Sequence, residues 1–135
     1  METAQIAKSK IKSKTGLTAA NLDDDPPSSA NMIDLTDWTN LPAPLSIEIV
    51  AVGSEAADLT GAWWYGYGKP DGTNALPTRI APVNKGDAVA VRATAAVVLD
   101  VLEAIAGVYD YIGIGEATLS AGTLDLHARP LEVQR

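Results

Sequence analysis

The sequence predicts a mainly all-β protein: a small β-sandwich or barrel preceded by an extended N-terminal arm. Three observations lead there. From residue 31 onward, short runs of strand-forming residues alternate with turn signals. Gly and Pro number 11 and 8 in 135 residues, a share that favours many turns over long helices. Large side chains are scarce, with no Phe, three Trp and four Tyr, so the core is expected to be thin.

Residues 1–30 read as the arm. Ile6, Ile11, Leu17 and Leu22 are its large apolar residues, too scattered to fold alone. Lys8, Lys10, Lys12 and Lys14 recur with period two, so in an extended chain they point one way, ~6.6 Å apart. Such a segment needs a partner to be ordered. It is expected to lie across a neighbouring subunit with its lysines against carboxylates. Asp23-Asp24-Asp25-Pro26-Pro27 then reads as a stiff acidic hinge, since consecutive carboxylates lack the spaced ligands of a calcium loop.

Residues 31–135 form the β-rich domain. Met32–Trp38 is a first strand, ended by Asn40, Pro42 and Pro44. In Ser46–Val52, Ile47 and Ile49 alternate with Glu48 and Val50. Gly61–Tyr67 is rich in aromatic residues, which favour strands, and Lys69-Pro70-Asp71-Gly72 is a turn. Thr78–Ile80 pairs briefly, and Asn84-Lys85-Gly86-Asp87 turns into a strand over Ala88–Ala95. The stretch from Thr94 to Ala106 is open. Val97, Val98, Val101, Leu102 and Ile105 share a helical face that would make one short helix near 96–106, yet the uncapped run from upstream favours strand. Tyr109–Gly113, Glu116–Ser120 and Thr123–Ala128 complete the set, with Ala121-Gly122 as a hairpin turn between the last two.

Charge divides the chain. Residues 1–20 carry +3 and residues 21–135 carry −10, for −7 overall. An acidic body repels phosphate, so no nucleic-acid partner is expected. No apolar run is long enough for a signal peptide or a membrane span, and synthesis in a cytoplasm without membrane attachment is expected. With no Cys and a single His, thiol catalysis and zinc-thiolate sites are excluded. No catalytic residue, metal or cofactor is expected. His127 shares a strand face with Asp125 and Arg129, an arrangement typical of a solvated or subunit-facing surface. Gly113-x-Gly115 lacks the third glycine of a dinucleotide loop and points to close strand approach or a bulge instead.

Trp63-Trp64-Tyr65-Gly66-Tyr67 is the most distinctive segment. Alternation places Trp63, Tyr65 and Tyr67 on one side and Trp64 on the other. The readings are core packing, a subunit interface, or a sugar-stacking platform built on Trp63 or Trp64. Lys8, Lys10, Lys12, Lys14, Trp63, Trp64, Tyr65 and Tyr67 are therefore the candidate protein-interface residues.

From Gly86 on, a further pattern emerges in Gly86-Asp87-Ala88-Val89-Ala90-Val91, then Ile112-Gly113-Ile114-Gly115-Glu116-Ala117, then Ser120-Ala121-Gly122 and the closing strand Thr123–Arg129. In this order the segments resemble the head decoration, or cement, proteins of tailed bacteriophages. The resemblance implies a small β-rich module on the outside of a virion, bound to the major capsid protein and stapling neighbouring capsomers. It implies a homo-oligomer or neighbouring copies in a lattice, with no catalytic residues. Another virion role, in a tail, neck or fibre base, remains open, as does a carbohydrate-binding module or adhesin.

Overall fold

The computed structural model describes residues 11–38, 45–68, 77–106 and 109–131. The arrangement is predominantly antiparallel β, as the turn-punctuated alternation predicts. The strands are β1 (Lys12–Leu17), β2 (Ile33–Asp34), β3 (Leu45–Gly53), β4 (Ala57–Thr60), β5 (Trp63–Gly68) and β6 (Pro77–Pro82). They continue with β7 (Val89–Val91), β8 (Val97–Ala106), β9 (Tyr109–Gly115), β10 (Thr118–Leu119) and β11 (Leu124–Pro130). One short helix, α1 (Ala19–Asp23), follows β1. The larger sheet runs β1-β11-β3-β8-β9-β5-β6, with β2 also paired to β9, and a small sheet runs β10-β4-β7.

Alternation builds the sheet. On β3, Ile47, Ile49 and Ala51 are buried while Glu48, Val50 and Val52 face outward. On β11, Leu124, Leu126 and Ala128 are buried, and Asp125, His127 and Arg129 lie on the same outer side as the outward residues of β3. Inner-face residues from both sheets merge into one core with Trp38, Trp64, Ile112 and Ile114.

The open segment 96–106 is strand: β8 pairs with β3 along most of its length. The register shifts between Ile49 and Val50, because Val98 stands opposite Val50 and Asp100 opposite Ile49. Leu99 is the extra residue of this β-bulge. The Met32–Trp38 strand reduces to β2 and a 3₁₀ turn at Thr36–Trp38. The expected hairpin at Ala121-Gly122 is also different, since β10 pairs with β4 whereas β11 pairs with β3 and β1. That turn carries the chain from one sheet to the other. It is tied to the turn after β3 by Ser54 N–H to Thr123 O and Thr123 N–H to Ser54 Oγ, at 2.9 and 2.8 Å.

From Ile11 onward, the arm expected to lie across a neighbouring subunit packs instead on its own chain. β1 pairs antiparallel with β11 of the same chain. Thr18 then caps α1 reciprocally, accepting from Asn21 N–H at 3.1 Å while Asn21 Oδ1 accepts from Thr18 N–H at 3.0 Å. Leu17 and Leu22 are each only 1 % exposed. Glu116 N–H donates to Asp24 O and Ala117 N–H to Leu22 O, closing the buried backbone. Two well-placed leucines and these backbone bonds anchor a segment too polar to fold alone.

Leu22→Ala should therefore lower unfolding stability by about 2–5 kcal/mol, the usual range for emptying a buried leucine site. Urea unfolding followed by Trp fluorescence measures this. An unchanged midpoint would mean that the segment is detachable.

Candidate interface

The larger sheet has two outer faces with opposite fates. Over β9 and β5, the outer side carries Trp63, Tyr65 and Tyr67 opposite Gly115, Gly113 and Tyr111. The chain between α1 and β2 crosses this face as a strap. A Cβ at Gly115 would lie 2.7 Å from both Asp24 O and Pro27 Cδ, and one at Gly113 would lie 2.6 Å from Met32 Cγ. The two glycines thus allow a close approach, by the strap rather than by a strand, and the strap occupies the space side chains would need.

Polar contacts fasten the strap. The Tyr65 hydroxyl bonds to Asp25 Oδ1 at 2.9 Å and to Glu116 Oε2. Arg79 on β6 grips the same Glu116 carboxylate, with Nη2 2.5 Å from Oε1 and Nε 3.0 Å from Oε2. The guanidinium also lies 3.9 Å from the centroid of the Trp63 ring, a cation–π contact. Glu116 has a left-handed backbone (φ 59°), an uncommon state for a side-chain-bearing residue. Its contacts with Tyr65, Arg79 and Asp24 O converge on that one position. Hydrogen bonds from Arg79, then from Tyr65, hold the Glu116 carboxyl below the usual carboxylate range. Burial, then the bonds to Glu116 and Asp25, push the Tyr65 phenol well above its ordinary value, so it remains neutral.

The predicted interface residues divide accordingly. Trp64 is 0 % exposed and belongs to the core, offering no ring face to a sugar. Tyr65 is buried, Trp63 is covered on one face by Arg79, and Tyr67 meets Tyr111 edge to face with centroids 6.2 Å apart. Lys12 and Lys14 share a side, as period two predicts. That side is the one occupied by Ala128 and Leu126, and both lysines are half-buried at the edge of the sheet. Lys8 and Lys10 lie outside the described residues.

The other half of the sheet, β1-β11-β3-β8, shows a contrasting outer face. Ile11, Val98 and Val101 are 64, 54 and 50 % exposed, and they are the large apolar side chains exposed among the described residues. All three fall on this face. Pairing register sets Ser13, His127, Val50 and Val98 in one row across the four strands. Arg129, Glu48 and Val101 form the adjacent row, with Ile11 at its end, where a groove of about 260 Å³ is lined by Ile11, Glu48, Val50, His127 and Arg129. Arg129 Nε pairs with Glu48 Oε1 at 2.9 Å, and Ser13 Oγ lies 2.7 Å from His127 Nδ1. Asp125 does not complete a triad with them, because its Oδ1 accepts from Gly16 N–H at 2.8 Å.

The bulge on β8 creates part of this face. Without the extra Leu99, Val98 and Val101 would point to opposite sides, whereas both now point outward. The bulge also turns Asp100 inward, where Oδ2 accepts from Trp64 Nε1 at 2.6 Å and from Asn84 N–H at 2.8 Å. These outward valines were missed in the sequence. The signal was present in Val50, Val52 and Val98, apolar residues in outward positions of alternating strands. Among the described residues, no cluster of three or more His, Asp and Glu side chains could hold a metal ion, and no helix is long and apolar enough to cross a membrane. No protein family, curated protein or solved structure matches the chain.

Asp100→Ala should cost about 1–3 kcal/mol by leaving the Trp64 indole N–H and the Asn84 amide without an acceptor. An unchanged urea midpoint would show that the carboxylate does not hold the bulge. The lowered Glu116 carboxyl makes a signed prediction. Its stabilising effect is complete above the ordinary glutamate value of ~4.3 and disappears as pH falls through the lower folded value. The stability gap between wild type and Glu116→Gln should thus be constant near neutrality and close in acid. A gap independent of pH from 7 to 3 would contradict the account of this contact.

Proposed function

We propose that this chain is a structural virion protein of the decoration, or cement, type, which binds the outside of a capsid lattice and stabilises the head. The observation that carries the reading is the uncovered half-sheet. Two adjacent rows across β1, β11, β3 and β8 hold three exposed large aliphatic side chains and one ion pair, a mixture typical of protein-binding surfaces. A strap of the same chain covers the other half, and among the described residues no segment crosses this one. Assignment to a phage head comes from the resemblance over segments 86–91, 112–117 and 120–129, which fall on β7, β9, β10, β11 and their turns. In this reading the domain presents its aliphatic rows to the major capsid protein, and the basic residues preceding β1 latch onto a neighbour. A lattice repeats the contact, so modest individual interfaces act multivalently.

Co-sedimentation with undecorated phage heads tests the reading, using wild type, a chain lacking residues 1–10 and the double variant Val98→Lys/Val101→Lys. The truncation stops at residue 10 so that β1, which pairs with β11 from Lys12 onward, is kept whole. The wild type should sediment with heads and raise their disruption temperature. The double variant should bind at least ~10-fold more weakly while its own unfolding stability changes by under about 1 kcal/mol. Equal binding by the double variant, or no binding by wild type, would overturn the proposal.

A further inference from the structure

His127 is the chain's one histidine, and it stands in the middle of the uncovered half-sheet. In its row it lies between Ser13 on β1 and Val50 on β3, with Val98 beyond on β8. No other side chain of that row titrates. The ring is half-buried and borders the groove that Ile11, Glu48, Val50 and Arg129 also line. A titratable group in contact with water is thus set among aliphatic ones, at a place that a docked partner would close off.

The surroundings of the ring decide which of its two forms a closed contact tolerates. β1 brings Ser13, whose Oγ is 2.7 Å from Nδ1. β3 brings Glu48 and β11 brings Arg129, and these two are paired with each other at 2.9 Å. Asp125, two positions before His127 on the same side of β11, accepts from Gly16 N–H at 2.8 Å. β8 adds Val98, Val101 and, further along the strand, Glu103. Neutral imidazole fits this setting, because Ser13 O–H donates to Nδ1 and no charge needs an answer. Imidazolium carries two N–H donors and a full charge. Ser13 Oγ accepts from one of them, but the neighbouring carboxylates on β3 and β11 are each engaged elsewhere.

We infer that docking on this face expels the proton of His127, so that the contact forms with the neutral ring and is released by mild acid. The inference rests on the capsid reading above and adds to it the control of that same contact. In the free domain, water reaches the half-buried ring and offsets its charge. Under a partner that water is displaced, and a charge without a counterion is far costlier to bury than a neutral imidazole with its Nδ1 satisfied. Below the range in which histidine titrates, each copy therefore gives up one proton on binding. The sign follows: affinity is full above that range and falls by a factor approaching ten per pH unit below it. For a histidine of ordinary value, ~6.5, binding should be about 10-fold weaker at pH 5.5 than at pH 7.5.

Co-sedimentation with undecorated phage heads at pH 7.5 and 5.5, at one ionic strength, tests this with wild type and His127→Gln. Urea unfolding at both pH values checks that each chain is folded, and electron microscopy checks that the heads are intact. Wild type should bind about 10-fold more weakly at pH 5.5. His127→Gln, which has no titrating ring, should show the same affinity at both. Equal wild-type binding at the two pH values would overturn the inference and leave the capsid reading standing. So would tighter binding in acid, or an acid loss that His127→Gln shares, since the titrating group would then lie elsewhere. No sedimentation of wild type at pH 7.5 would overturn the capsid reading itself, and this inference with it.

Discussion

The close approach of residues 24–32 to Gly113 and Gly115 of β9 organises much of the rest. Side chains at those two positions would collide with Met32, Asp24 or Pro27, so the glycines define where the strap can lie. With the strap in place, Leu22 is delivered to the core and Ile33 pairs with Ile112 on the sheet. Tyr65, Glu116 and Arg79 then find their partners around Asp25 and Trp63. Removing the strap would uncover the side of β5 and β9 that carries Tyr65, Gly113 and Gly115. Cooperative dependence on a non-repetitive segment is one route by which a domain with few large side chains reaches adequate stability.

The same path gives the sheet its asymmetry. The strap spans β9 and β5, whereas β1, β11, β3 and β8 present their outer side. On that side the bulge at Leu99 keeps both Val98 and Val101 outward and sends Asp100 into the core to hold Trp64. One inserted residue therefore serves both sides of the sheet. A surface shaped for association and a core anchor are built from four consecutive positions, Val98 to Val101.

Much of the β framework was legible because period two is a direct consequence of the pleat. Ile47 to Ala51 and Leu124 to Ala128 reveal both their strands and their buried faces. Legibility failed where that period is broken. The bulge changes the spacing of outward valines on β8 from two to three, which imitates one face of a helix over the same residues. The segment from Ile11 to the strap was read as part of an arm lying across a neighbouring subunit because Ile11, Leu17 and Leu22 are too scattered to show a period. Its attachment comes from single side chains and from backbone bonds such as Glu116 to Asp24, which leave no periodic trace. Among the candidate interface residues, the sequence correctly grouped Trp63, Tyr65 and Tyr67 on one side but could not show that the chain's own strap lies on that side. The uncovered face was legible only as apolar residues in outward slots, a signal that acquires meaning once strand order is known.

Among the described residues, the strap covers one half of the sheet and no segment crosses the other. Methyl NMR on the isolated protein, with a soluble paramagnetic agent added, measures this residue by residue. The account predicts strong broadening of the Ile11, Val98 and Val101 methyl signals, with Met32, Leu22 and Ile112 protected. Broadening of Met32 and Leu22 to the same extent as Val98 would contradict it, because the strap would then not be seated on the sheet.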